Sequence, residues 1–149
     1  SPGYCELRDE LRKSRIFAVH VRLGDYVRTH QHLLLGPDYF RSALALAPAH
    51  DRIVVFSDDK TEAQKLLTGS GKDFQDALYL SGEDFTPAET MSLMSSSDCL
   101  ATSASTFSGV AAMALKGTVI APQRLADQFA RGIDLPWKLI PDSQKDDQS

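Results

Sequence analysis

Five short apolar runs, separated by segments with helical signals, constrain this chain more than any other feature. They are Ile16 to Val19, Ile53 to Phe56, Ala77 to Leu80, Asp98 to Thr102, and Thr118 to Ala121. Between them the apolar period lengthens. From Asp38 to Ala47, the residues Tyr39, Phe40, Ala43, Leu44 and Ala47 share one helical face. Ser57-Asp58-Asp59 caps a second helix running to about Leu67, which Gly69-Ser70-Gly71 breaks. Thr86-Pro87-Ala88-Glu89 reads as a capping box with proline at the first helical position, opening a helix to about Met94. Ser105 to Ser108 opens an alanine-rich helix to Leu115, ended by Gly117, and a last helix covers about Gln123 to Ala130. Strands alternating with helices in this way predict an α/β fold with a doubly wound, mostly parallel sheet of five strands.

The 149 residues suit one domain, with residues 1–14 as a leader and 142–149 as a polar tail. There is no internal repeat and no interdomain linker. A net charge of −4 argues against nonspecific binding to nucleic acid or to an anionic membrane surface. Cys5 and Cys99 indicate neither a disulfide framework nor a zinc site, and Cys99 reads as a buried thiol. The chain contains no Asn and hence no N-glycosylation sequon.

Chemistry concentrates where strands end. The first strand runs into His20-Val21-Arg22-Leu23-Gly24-Asp25, the second into Ser57-Asp58-Asp59, and the fourth is followed by Ser103 to Ser108. In an open parallel sheet these loops share the carboxyl edge, where ligands bind. A guanidinium fork at Arg22 matches the paired oxygens of a diphosphate. The helix start at Ser105-Thr106 offers backbone N–H groups and hydroxyls to phosphate oxygens. Asp58 or Asp59 can accept hydrogen bonds from ribose hydroxyls or base N–H groups. Each has a plainer reading: Arg22 paired with Asp25 across Gly24, and the Ser and Asp residues acting as helix caps. Neither the dinucleotide glycine fingerprint nor a P-loop is present, and there is no Asp-x-Asp pair suited to a divalent ion. His30, His32 and His50 lie in polar loop stretches without metal spacing and read as solvated.

In these segments the chain resembles the α-1,2-fucosyltransferase family, which transfers fucose from GDP-fucose to a sugar hydroxyl. His20 to Val27 is similar to that family's H-x-R-x-G-D-Y signature, and Val55-Phe56-Ser57-Asp58-Asp59 to its F-S-D-D segment. Leu93-Met94-Ser95, then Ser105-Thr106-Phe107-Ser108 and Ala111-Ala112, are similar to its third motif. The three occur in the family's order, over about Arg15 to Pro122.

The resemblance implies the Rossmann-like, donor-binding carboxyl-terminal half of a two-domain GT-B glycosyltransferase that inverts at the anomeric carbon and needs no metal or other cofactor. It implies a catalytic role for Arg22 on the β-phosphate and makes Asp25 and His20 the visible candidates for the general base. The base can equally lie in the acceptor half, and His20 reads rather as a hydrogen-bond partner of the guanine or a buttress of the Arg22 loop. Donor contacts are implied for His20, Arg22, Ser57, Asp58, Asp59, Glu89, Ser105, Thr106, Phe107 and Ser108. The expected partners are GDP-fucose, a galactoside acceptor and an amino-terminal acceptor domain outside this sequence, with no nucleic acid. Relatives occur anchored in the Golgi membrane or in bacterial cytoplasm, which leaves the compartment open. The sequence departs from the family pattern in four places: Leu23 stands where a second Arg is frequent, Ala104 where Asn is usual, and Gly109-Val110 where Trp-Trp is usual. An acidic residue expected at Thr90 is displaced to Glu89 or lost. Two other readings remain: a non-catalytic nucleotide or nucleotide-sugar binding domain, and a flavodoxin-like interaction domain.

Overall fold

The structure is a computed structural model that describes residues 1–24, 35–129 and 134–141. Its centre is a six-stranded, all-parallel sheet. In chain order the strands are β1 (Ile16–Val21), β2 (Arg52–Ser57), β3 (Leu78–Leu80), β4 (Cys99–Ala101), β5 (Thr118–Pro122) and β6 (Lys138–Ile140). They lie side by side as β3-β2-β1-β4-β5-β6. The sheet thus has one strand more than the sequence predicts. β6 is three residues long, mostly exposed, and pairs with β5 through Ala121 and Leu139. So short an edge strand carries no readable period.

Every residue of β1 is buried, as expected of a central parallel strand covered on both faces. Period-two alternation divides its side chains between two cores. Phe17, Val19 and Val21 pack with Tyr39, Phe40 and Ala43 of α2 (Pro37–Leu46) and Ala63 and Leu67 of α3 (Lys60–Thr68). Ile16 and Ala18 face the opposite core with α1 (Tyr4–Leu11), α4 (Pro87–Ser95), α5 (Thr106–Ala114) and α6 (Gln123–Phe129). α1 lies within the stretch read as a leader. It starts after Gly3, at φ 80°, and has no side-chain cap, so the usual amino-terminal signal is missing.

Two carboxylates fix where β1 enters the sheet. Asp98 Oδ2 accepts from the Ile16 backbone N–H at 2.7 Å, and Asp51 Oδ2 from that of Arg15 at 2.8 Å. The helix break expected at Gly117 falls earlier, since α5 ends at Ala114 with an extended cap at Leu115. Gly117 serves packing: a Cβ there would overlap the Asp98 carbonyl oxygen. His50, expected to be solvated, lies against Phe17 with ring centroids 5.2 Å apart, and its Nδ1–H donates to the Pro48 carbonyl. Among the described residues no helix is long and apolar enough to cross a membrane.

Candidate functional site

The strand order reverses around β1, which has β2 on one side and β4 on the other. Connections leave such a switch point in opposite directions and open a crevice at the carboxyl edge. A cleft of about 260 Å³ lies at this edge, lined by His20 of β1 and Arg22 just after it, by Phe56 and Ser57 of β2 and Asp58 just after it, and by Phe107 of α5. Its far wall is the turn after β3 and the start of α4, with Ser81, Gly82, Phe85, Pro87 and Thr90.

Alternation along β1 places His20, like Ile16 and Ala18, on the α4/α5 side. Leu23 packs instead with the α2/α3 core. The position where a second Arg was expected therefore contributes apolar surface, and Arg22 is the cation in the described lining of the cleft. The anion there is Asp58. Its Oδ1 accepts from the Leu23 backbone N–H at 2.9 Å, tying the β2 loop to the β1 loop. A Cβ on Gly24 would overlap Asp58 Oδ2, so glycine is what lets the two loops close on each other.

His20 is buried and its imidazole pKa is lowered to about 4. Burial is the main cause, and Arg22 adds to it while Asp58 opposes it. Its Nδ1 lies 2.8 Å from Ser103 Oγ, and Ser103 Oγ lies 2.8 Å from Ser105 Oγ. The backbone N–H of Ser105 donates to Ser103 Oγ at 3.2 Å, that of Ser108 to Ser105 Oγ at 3.3 Å, and that of Ser103 to Ser108 Oγ at 3.0 Å. This serine knot fixes the amino-terminal turn of α5 to β1 across the switch point. Ser108 is the third residue of α5, and its N–H is capped by Ser105. The N–H groups of Thr106 and Phe107 are the first two of the helix, which have no acceptor within it, and they carry the positive end of its dipole. The Phe107 ring lies against His20, centroids 5.7 Å apart.

The far wall is ordered by Asp84. Its Oδ2 accepts from the Ser81 backbone N–H at 2.9 Å and pairs with Lys60 Nζ at 3.1 Å. These contacts, the Ser81 hydrogen bond first, hold its carboxyl below the usual range against some burial. Thr86 and Glu89 form a reciprocal capping box. Thr86 Oγ1 accepts from the Glu89 N–H at 3.2 Å, and Glu89 Oε1 from the Thr86 N–H at 2.9 Å.

Of the residues expected at the site, the cleft brings together His20, Arg22, Ser57, Asp58 and Phe107. Ser105 and Ser108 stand behind His20 in the serine knot, and Thr106 is exposed at the helix start. Asp59 caps α3, accepting from the Glu62 N–H at 3.1 Å. Glu89 is engaged in its capping box, and its neighbour Thr90 lines the cleft. Asp25, with His30 and His32, lies outside the described residues. Sequence reasoning singled out the Ser103 to Ser108 loop and Glu89, but not Ser103 itself, nor Ser81, Gly82, Phe85 and Pro87 of the far wall. The signal available for that wall was Ser81-Gly82, a polar turn at the end of the third apolar run. Among the described residues no group of three His, Cys, Asp or Glu is placed to hold a metal ion.

The described lining thus combines the Arg22 cation and Phe107, the second residue of α5, with the apolar side chains of Phe56, Leu80 and Phe85. Such a surface suits a ligand with an anionic part and a flat, apolar part. The profile of glycosyl transferase family 11 matches residues 3–135 of the chain. No curated protein and no solved structure matches it.

Proposed function

Since the chain belongs to glycosyl transferase family 11, the α-1,2-fucosyltransferase family, we propose that it holds GDP-fucose in the strand-end cleft. It forms the donor side of an inverting, metal-independent transfer of L-fucose to the 2-hydroxyl of a galactoside. The observation that carries this reading is the meeting of Arg22, the amino terminus of α5 and an apolar wall at the topological switch point. The base lies against Phe85 and Leu80, with the diphosphate toward Arg22 and the N–H groups of Thr106 and Phe107.

In the reaction the acceptor hydroxyl oxygen attacks the anomeric carbon as the bond from that carbon to the β-phosphate oxygen breaks. Configuration inverts, and GDP leaves carrying the electron pair. Negative charge grows on the β-phosphate, where Arg22 meets it with a fork and α5 with its dipole. One well-aimed donor of this kind is worth about 3–4 kcal/mol of barrier. The hydroxyl proton passes to a general base, a role for which the family resemblance makes Asp25 a candidate. In the same reading only one side of the cleft belongs to this chain, the acceptor being held by a second domain.

The test is to incubate the 149-residue chain with GDP-fucose and a panel of β-galactosides. The expected outcome is GDP-dependent binding with very slow transfer, because the effective molarity lost with half a cleft is on the order of 10⁵ M or more. Efficient transfer by the chain alone would overturn the two-sided reading. A second reading, a nucleotide-sugar-binding domain without turnover, draws on one observation: Leu23 packs away from the cleft where the family supplies a second cation. It predicts no transfer even when an acceptor domain of the family is joined to the chain.

A further inference from the structure

We infer that Ser103 is a positioning residue that fixes His20 as the Nε2–H tautomer, so that the ring presents the cleft with a hydrogen-bond donor and no base. The argument is an accounting of hydroxyl hydrogens in the serine knot. Ser103 Oγ already accepts from the Ser105 backbone N–H, and Ser105 Oγ from the Ser108 backbone N–H. Two proton arrangements satisfy the remaining contacts, from His20 Nδ1 to Ser103 Oγ at 2.8 Å and from Ser103 Oγ to Ser105 Oγ at 2.8 Å.

In the first, the Ser105 hydroxyl donates to Ser103 Oγ and the Ser103 hydroxyl donates to His20 Nδ1. Each hydrogen has an acceptor, each oxygen keeps within its two lone pairs, and the ring proton sits on Nε2. In the second, Nδ1–H donates to Ser103 Oγ and the Ser103 hydroxyl donates to Ser105 Oγ. The Ser105 hydroxyl hydrogen is then left without an acceptor among the described residues, although Ser105 is only 5% exposed. A buried donor without an acceptor is the disfavoured state. The first arrangement therefore holds. Ring neutrality, which makes the tautomer meaningful, follows from the burial of His20 and the neighbouring Arg22.

The consequence is chemical. Nδ1 is occupied by Ser103, and the ring lines the cleft beside Arg22. A donor there takes an acceptor oxygen, as on a phosphoryl group or a carbonyl, and adds a directed hydrogen bond to the Arg22 charge. An Nε2 that already carries its proton cannot remove one from an acceptor hydroxyl, so His20 is withdrawn as a candidate for the general base. The identity of the accepted oxygen as a nucleotide's rests on the function proposed above, whereas the tautomer does not.

The test uses the whole chain labelled with ¹⁵N-histidine, with the His20 signals assigned from a His20→Gln variant. Long-range ¹H–¹⁵N spectra near pH 7 read which nitrogen holds the proton. The expected result is an unprotonated Nδ1 in the unsubstituted protein and a growing Nδ1–H population in Ser103→Ala. An Nδ1–H tautomer in the unsubstituted protein overturns the inference, as does an unchanged tautomer in a folded Ser103→Ala variant. If Ser103→Ala does not fold, the first spectrum decides alone. GDP is then added, and the Nε2–H resonance is expected to shift on binding. GDP that binds and leaves Nε2–H unmoved overturns the ligand contact. Absence of GDP binding overturns the nucleotide reading and leaves the tautomer standing.

Discussion

His20 carries a cost that the fold bears at low pH. The native ring titrates near 4, because it is buried and faces the Arg22 charge with only Asp58 opposing, whereas an unfolded imidazole titrates near 6.5. Below pH 6.5 the unfolded chain takes up a proton that the native chain refuses until about pH 4. Stability is therefore full above 6.5 and falls as pH drops through that window, by on the order of 3 kcal/mol in total. Denaturant midpoints between pH 7 and 4 should fall more steeply for the unsubstituted chain than for His20→Gln. Parallel slopes would contradict the buried neutral ring. Asp84, whose carboxyl is also held low, contributes at still lower pH and equally in both proteins. Gly24 is a second residue with a sharp expectation. Gly24→Ala forces Asp58 off the Leu23 N–H, since the overlap is with the end of a side chain. GDP affinity should drop several-fold while thermal stability changes little. That His20, Arg22 and Asp58 share the strand-end cleft was legible, because a strand-end position follows from local pattern. Ser103 was not, because its role depends on a contact across 83 residues of chain.

At the scale of elements, local chemistry and tertiary packing separate cleanly. The capping box at Thr86 and Glu89 was readable from four consecutive residues, and α4 starts there. Thr86→Ala should cost about 1 kcal/mol by denaturant unfolding, and should also weaken nucleotide binding, since Pro87 and Thr90 of the same turn line the cleft. Binding unchanged in a destabilised variant would remove α4 from the site. Gly117 shows the opposite case. Its place at the end of an alanine-rich segment suggested a helix terminator, yet among the described residues the positive-φ glycine is Gly3. What Gly117 requires is space against the backbone of Asp98, the residue that anchors β1. Gly117→Ala should destabilise the fold by about 1–3 kcal/mol, since backbone yields less readily than side chain. A neutral effect would contradict the close packing. α1 and β6 escaped the sequence for related reasons: one has no side-chain cap, and the other is a three-residue edge held by pairing to β5.

For the molecule as a whole, the alternation of apolar runs sufficed for the parallel, doubly wound sheet, because crossover connections leave few alternatives. The order of the strands was beyond it, and with that order the position of the crevice beside β1. The far wall of the cleft was equally hidden, since it is ordered by the pairing of Lys60, at the start of α3, with Asp84 in the turn after β3. In the proposed binding mode the charge on the diphosphate is met by Arg22 and the α5 amides, so GDP affinity should be the same with EDTA as without it. A loss that Mn²⁺ or Mg²⁺ restores would contradict metal-independent binding. The central claim, that the strand-end cleft receives a nucleoside diphosphate with its β-phosphate on Arg22, is tested most directly by calorimetric titration of GDP and GMP into the unsubstituted chain and Arg22→Lys. The account predicts that GDP binds more tightly than GMP, and that Arg22→Lys, which keeps the charge and loses the fork, weakens GDP binding markedly more than GMP binding. Equal losses for the two nucleotides, or no GDP binding by the unsubstituted chain, would contradict it.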